Sequence, residues 1–332
     1  MPELFSRLAI DIGGTNIRFG LLSEDSLSPL HILQYKINDY PGLADVMRLY
    51  LDSAPANTAV QDVAVAVATP IEGDRIKLTN HDWNFQVSVI REQFGFRRLK
   101  VVNDFTALSL SLPLLGADEL VQVGGGQPDP DGAIALLGAG TGLGVSGLIQ
   151  TADGYYPLAG EGGHVSLGAR SERELAIFSA FLDKYGHMSA ERLLSGTGLT
   201  EFYQVIRRLD QLEANPLPNE EISRRAIKGS CASCAETMEL FCEWLGIIGS
   251  NLALTLMASG GVYVGGGIVP KLGDYFLQSG FRRCFEAKGR FRKFMEQVPV
   301  YVIHADQPAL RGAAHALEPR FAKLGVTCVA ES

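Results

Sequence analysis

Apolar runs and glycine-rich breaks alternate along the chain. Residues 7–12 (RLAIDI) read as a strand, and a second strand resumes at 17–22 after a Gly-Gly turn. Helical spacing of apolar residues covers 41–54. The β-branched and alanine run 62–68 (DVAVAVA) and the run 99–102 read as strands, and a helical pattern follows from 105 to 115. A second cycle begins with the apolar strand 133–137, the turn GAGTGLG and another strand at 145–150. Helical stretches are expected at 171–186, 199–213 and 235–258. A short strand at 261–264, a late strand at 298–304 and a terminal helix at 309–324 complete the pattern. Strands alternating with helices predict an α/β fold.

The two cycles share a plan. LAIDIGGTNIRFGLL and IALLGAGTGLGVSGLI are each an apolar strand, a tight Gly/Thr turn and a second strand, with Gly14-Thr15 falling on Gly140-Thr141. Such a duplication predicts two related α/β domains facing each other across a cleft, and 332 residues suit two domains. Between the cycles lies GGGQPDPDG, whose Gly, Pro and Asp content marks it as the candidate domain-linking loop.

Charge narrows the function. The formal net charge of −8 argues against nucleic-acid binding, which needs a basic surface to displace counterions. The N-terminus carries no basic region followed by a long apolar run, so no signal peptide is expected. No segment approaches the roughly 18 consecutive apolar residues of a membrane helix. Five scattered cysteines, at 231, 234, 242, 284 and 328, suit a reducing cytoplasm. Cys231 and Cys234 form a lone C-x-x-C without partner ligands at zinc-site spacing, read as packing with a redox or metal role as the alternative.

Chemistry concentrates at the turns. Asp11-Ile12-Gly13-Gly14-Thr15-Asn16 exposes consecutive N–H groups that can cradle a phosphate, and Asp11 can hold Mg²⁺ through waters. Gly138-Ala139-Gly140-Thr141-Gly142-Leu143-Gly144 lacks the third glycine of a dinucleotide fingerprint and runs on into a strand, so it reads as a second phosphate turn. Gly265-Gly266-Gly267 is either a plain strand-to-helix turn or a flat step for adenine and ribose. Asn103-Asp104 ends an apolar strand before a helix, where Asp104 is either the helix N-cap or a proton acceptor. Glu161-Gly162-Gly163-His164 and Glu191 add carboxylates and an imidazole. With Asn103 and Asp104 they make a polar set suited to a polyol. In Thr79-Asn80-His81-Asp82-Trp83, Asn80 is a further candidate for the sugar site and Trp83 reads as a surface residue.

DIGGTN, TNHDW, NDFTA, GAGTGLG, GEGGH, SAERLLSG, NLAL, GGGIVP and the GRF segment follow one another in an order that closely resembles the bacterial hexokinase-like glucokinases. That family belongs to the superfamily of actin and the heat-shock chaperone ATPases. The resemblance implies two actin-like (ribonuclease H-like) domains: residues 1–113 plus about 308–332, and about 114–307 between them. It implies ATP-dependent phosphorylation of the glucose 6-hydroxyl with Asp104 as base. Asn103, Asp104, Glu161, His164 and Glu191 would bind glucose. Asp11, Gly13, Gly14, Thr15, Asn16, Gly140, Thr141 and Gly142 would face ATP and its Mg²⁺, with Gly265, Gly266 and Gly267 near adenosine. A cytoplasmic homodimer is expected, with no protein metal ligands. The cysteine cluster of the repressor/open-reading-frame/kinase relatives is missing, so no structural zinc is expected. The segment HADQPALRGAA looks less regular than the family pattern and is assigned no site.

Overall fold

The structure is a computed structural model that describes residues 4–79 and 81–330. In chain order it contains β1 (Phe5–Ile12), β2 (Asn16–Leu22), β3 (Leu30–Lys36), α1 (Leu43–Asp52), β4 (Thr58–Val67), β5 (Arg75–Lys77), β6 (Asn84–Gln86), α2 (Val87–Phe94), β7 (Arg98–Asn103) and α3 (Asp104–Ser111). Next come β8 (Leu120–Gln122), β9 (Ile134–Ala139), β10 (Leu143–Thr151), β11 (Gly154–Gly160), α4 (Glu172–Tyr185), α5 (Gly196–Leu209), α6 (Asn219–Ile227) and α7 (Ala232–Leu256). The chain closes with β12 (Gly261–Gly265), α8 (Val269–Leu272), α9 (Asp274–Gln278), α10 (Phe281–Glu286), α11 (Arg292–Gln297), β13 (Val300–Ile303), α12 (Pro308–His315) and β14 (Val326–Val329). It divides into two compact units. The first is Met1–Gly116, Thr151–Ala159 and Ala305–Ser332, and the second is Ala117–Gln150 and Gly160–His304.

The first unit is built on a six-stranded sheet in the order β14-β7-β4-β1-β2-β3. β1 pairs antiparallel with β2 and parallel with β4, and β4 pairs parallel with β7. β4 is central, and its run Asp62–Val67 is buried on both faces, which is why it reads as continuous Val and Ala rather than an alternation. β3 lies at the edge and alternates half-buried with exposed positions. α12 lies directly against α3. A Cβ on Gly312 would collide with the Ala107 carbonyl oxygen, so the segment HADQPALRGAA, assigned no site from sequence, supplies the close helix crossing.

Two expectations are corrected here. The terminal helix does not reach 324: α12 ends at His315, Pro319 opens a single 3₁₀ turn, and the chain returns as β14, antiparallel to β7. Trp83 is buried, 4% exposed, and its indole N–H donates to the Tyr40 carbonyl at 3.0 Å. Its ring fills the core under β5 and β6, a hairpin too short to stand out in the pattern.

The second unit repeats the plan. β9 pairs antiparallel with β10 and parallel with β12, and β12 pairs parallel with β13, so β10-β9-β12-β13 matches β2-β1-β4-β7 strand for strand. β8 is antiparallel at the edge beyond β13. α7 is apolar on nearly every face and buries Met238, Phe241, Cys242, Trp244, Leu245 and Ile248, which makes it the central helix of this unit. GGGQPDPDG is not the junction between units. It lies inside the second unit, where the Asp129 N–H donates to the Ser259 carbonyl at 3.0 Å and the Ser259 hydroxyl donates to the Asp129 carboxylate at 2.9 Å. Among the described residues, no helix is long and apolar enough to cross a membrane.

Candidate active site

In the first unit, strand register gathers the candidates. Ile12 pairs with Val67, and Val67 with Asn103, so β1, β4 and β7 end level with one another. The Gly13–Asn16 turn and Asp104 therefore follow from the carboxyl edge of one parallel set, the edge where α/β sheets place ligands. The turn is closed by the Gly13 N–H donating to the Asn16 carbonyl at 3.0 Å, and Thr15 is exposed at its tip.

Asp11 is less available than its position suggests. It is buried and stands directly opposite Arg18 across the hairpin, and the Arg18 guanidinium bonds its carboxylate at 3.0 Å. Burial raises its pKa, and Arg18 opposes that rise. Arg18 also donates to Gln34 at 2.9 Å, and Gln34 reaches Asn16 at 3.3 Å, so the acid is wired to the turn. Sequence reading passed over Arg18. The signal was there: a hairpin turning at 13–16 places residue 18 opposite residue 11.

Asn103, rather than Asp104, caps α3. Its side-chain oxygen accepts from the N–H groups of Phe105 at 3.0 Å and Thr106 at 3.1 Å. Those two donors fix the amide orientation and leave its N–H₂ to donate, to Asp104 at 3.0 Å and the Thr69 carbonyl at 3.5 Å. Asp104 is the first helical residue, half-buried, and its Oδ1 accepts from the Phe105 N–H at 2.9 Å. A carboxylate there sits in the favourable field of the helix N-terminus.

In the second unit the remaining candidates come together. The Gly140 N–H donates to the Gly142 carbonyl at 2.8 Å, and β10 follows as a strand rather than the helix a dinucleotide site requires. The first residue of α5 anchors this turn, with the Gly196 N–H donating to the Gly140 carbonyl at 2.8 Å. Gly265 pairs with Gly138 in the sheet, and the Ile268 N–H donates to the Ala139 carbonyl at 3.2 Å, so the Gly265–Gly267 turn lies against the Gly140–Gly142 turn.

Glu191 joins the same cluster. Its Oε2 accepts from the Leu143 N–H at 2.9 Å, and Gly142 leaves the space in which the carboxylate rests, because a Cβ there would overlap Oε2. His164 Nδ1 stands 4.0 Å from Glu191 Oε1, an ion-pair distance too long for a hydrogen bond. The Glu161–His164 turn is held to this neighbourhood by the Ala190 N–H, which donates to the Val165 carbonyl at 2.9 Å. Glu161 and His164 are exposed. Asn80 lies outside the described residues.

Each unit thus carries a tight glycine turn after a strand of the shared plan, and in the second unit the Glu191 carboxylate is held beside that turn. The sequence profile of the glucokinase family matches residues 8–320. The chain belongs to the glucokinase family. It is 47% identical over 316 residues to a glucokinase of Aromatoleum aromaticum, covering 95% of this chain and 96% of that one. Its fold is similar to the solved glucokinase of an Antarctic psychrotroph, with a TM-score of 0.80 and 34% identity over 94% of this chain and 98% of that one. It is also similar, at 19% identity and a TM-score of 0.64 over 93% of this chain and 97% of that one, to a ROK family glucokinase from Streptomyces griseus solved with glucose and AMPPNP. That last likeness concerns the fold alone.

Proposed function

We propose that this member of the glucokinase family transfers the terminal phosphoryl group of MgATP to the 6-hydroxyl of glucose, with Asp104 as general base. Asn103, Glu161, His164 and Glu191 bind the sugar. The observation that carries the reading is the hydrogen bond from the Leu143 N–H to Glu191, which ties a sugar-type carboxylate to a phosphate turn.

In the reaction the sugar oxygen forms its bond to the γ-phosphorus as the bond to the β,γ-bridging oxygen breaks and ADP leaves. The hydroxyl proton passes to the Asp104 carboxylate. Asn103, with its amide oxygen committed to the α3 cap, meets the sugar through its N–H₂, exchanging the long 3.5 Å contact to the Thr69 carbonyl for a sugar oxygen. The N–H groups of Gly13–Asn16 and Gly140–Gly142 serve the phosphates, and Gly265–Gly267 the adenosine. Bound with the nucleotide, Mg²⁺ would supply neutralisation of the phosphate charge. Asp11, paired to Arg18, is the residue that would hold it, through water.

We further read the chain as a cytoplasmic homodimer of the actin-like superfamily. Its free cysteines suit that compartment. The test is a donor and acceptor screen with ADP and glucose 6-phosphate both quantified. Stoichiometric products from glucose and MgATP are expected, with turnover lost when Mg²⁺ is removed. ATP turnover independent of any sugar would overturn the proposal.

A further inference from the structure

The C-x-x-C pair takes no part in the proposed reaction, yet its setting is specific. Cys231 is the N-cap of α7, the 25-residue central helix, and its sulfur accepts from the Cys234 N–H at 3.4 Å. Cys231 is half-buried and reachable, whereas Cys234 sits behind it, fully buried. Residues three apart at a helix start are side-chain neighbours. Burial raises the Cys231 thiol, but hydrogen bonds from the Cys234 thiol and from the Cys234 and Ser233 N–H groups, with the Arg207 guanidinium, hold it below an ordinary cysteine. Cys234 is displaced upward, by burial first and then by its bond to Cys231. The groups facing the pair are Tyr203 and Arg207 of α5 and Glu221 and Arg225 of α6. Two guanidiniums disfavour a metal cation, and among the described residues no group of three His, Cys, Asp or Glu is placed to hold one.

We propose that Cys231 and Cys234 form a reversible dithiol–disulfide site, with Cys231 as the nucleophile toward low-molecular-weight disulfides and Cys234 as the resolving thiol. The Cys231 thiolate attacks one sulfur of a disulfide RSSR, forming Cys231–S–S–R and releasing RS⁻, which takes up a proton. The Cys234 thiol then loses its proton and attacks the Cys231 sulfur. The Cys231–Cys234 bond forms and the second RS⁻ leaves. Two protein thiols are oxidised by two electrons, and one small disulfide is reduced to two thiols.

The experiment equilibrates the full-length protein in glutathione buffers of graded oxidised-to-reduced ratio, quenches with acid, alkylates free thiols and locates modifications by fragment mass. The expected wild-type product carries a Cys231–Cys234 disulfide with Cys242 alkylated, and dithiothreitol reverses it. Cys234→Ser should trap one glutathione on Cys231, at least about tenfold faster than on Cys328, which is equally half-buried but has a raised pKa. Cys231→Ser should leave Cys234 unmodified. The proposal is overturned if no wild-type disulfide forms at any ratio, or if Cys231 reacts no faster than Cys328. The wild-type arm decides even where a serine variant fails to fold.

Discussion

Replacing Asp104 by Asn separates chemistry from folding. The Asn side-chain oxygen still accepts the Phe105 N–H that Oδ1 takes at 2.9 Å, and the α3 cap is untouched because Asn103 makes it. What the fold loses is one negative charge in the first turn of α3, worth about 0.3–1 kcal/mol. What the reaction loses is its proton acceptor, worth about 10²- to 10⁴-fold in rate. That factor corresponds to about 2.7–5.4 kcal/mol of barrier. The catalytic effect therefore exceeds the stability effect several-fold. The variant should melt within about 4 °C of wild type, bind glucose within a few-fold by calorimetry, and lose at least about 99% of kcat in a coupled assay. Asn103→Ala is the contrasting control, since losing the cap costs about 0.5–2 kcal/mol of stability. Retention of more than about a third of wild-type kcat by Asp104→Asn would refute the role of base. Loss of activity accompanied by a large drop in melting temperature would refute the stability half of the reasoning.

Two more outcomes follow from particular contacts. Gly142→Ala puts a methyl group onto Glu191 Oε2 and displaces the carboxylate from the Leu143 N–H. Losing a part-buried hydrogen bond costs about 0.5–1.5 kcal/mol, so the glucose Kd should rise about 2- to 12-fold. In a Glu191→Ala background the same change should cost far less, and an equal penalty in both backgrounds would sink the coupling. Lys100 is buried, donates to the Phe321 carbonyl, and is pushed by burial, and secondarily by Arg98, down to about 8 from 10.5. Between those values the unfolded chain holds a proton that the folded chain has released, so stability rises with pH across that window. Relative to Lys100→Met, the wild type should gain on the order of 1–3 kcal/mol from pH 8 to 10.5 in denaturant melts. Parallel curves would show that Lys100 titrates normally.

The sequence by itself determined whatever rests on local pattern. β4 was legible because a strand buried on both faces must be apolar throughout, and both hairpins because Gly and Thr punctuate two apolar strands. The duplicated plan, the absence of a dinucleotide turn and the α/β class followed from the same signals. The fold alone decided what depends on neighbours distant in the chain. β14 is a strand because β7 offers it a ladder; the β-branched run Val326–Val329 suits a strand but is too short to declare one by itself. Trp83 is buried because Tyr40 supplies an acceptor. The Gly/Pro-rich run 124–132 lies inside a unit because Ser259 anchors it. Asn103 took the cap that Asp104 was equally able to fill by residue type, a choice made by one residue of helical phase. Glu191 meets the turn at Leu143 across 48 positions, and Gly312 admits α12 against α3. Periodicity and turn chemistry act within a few residues and can be read along the chain. Hydrogen-bond partners and steric fit between distant segments exist only after the backbone has brought those segments together.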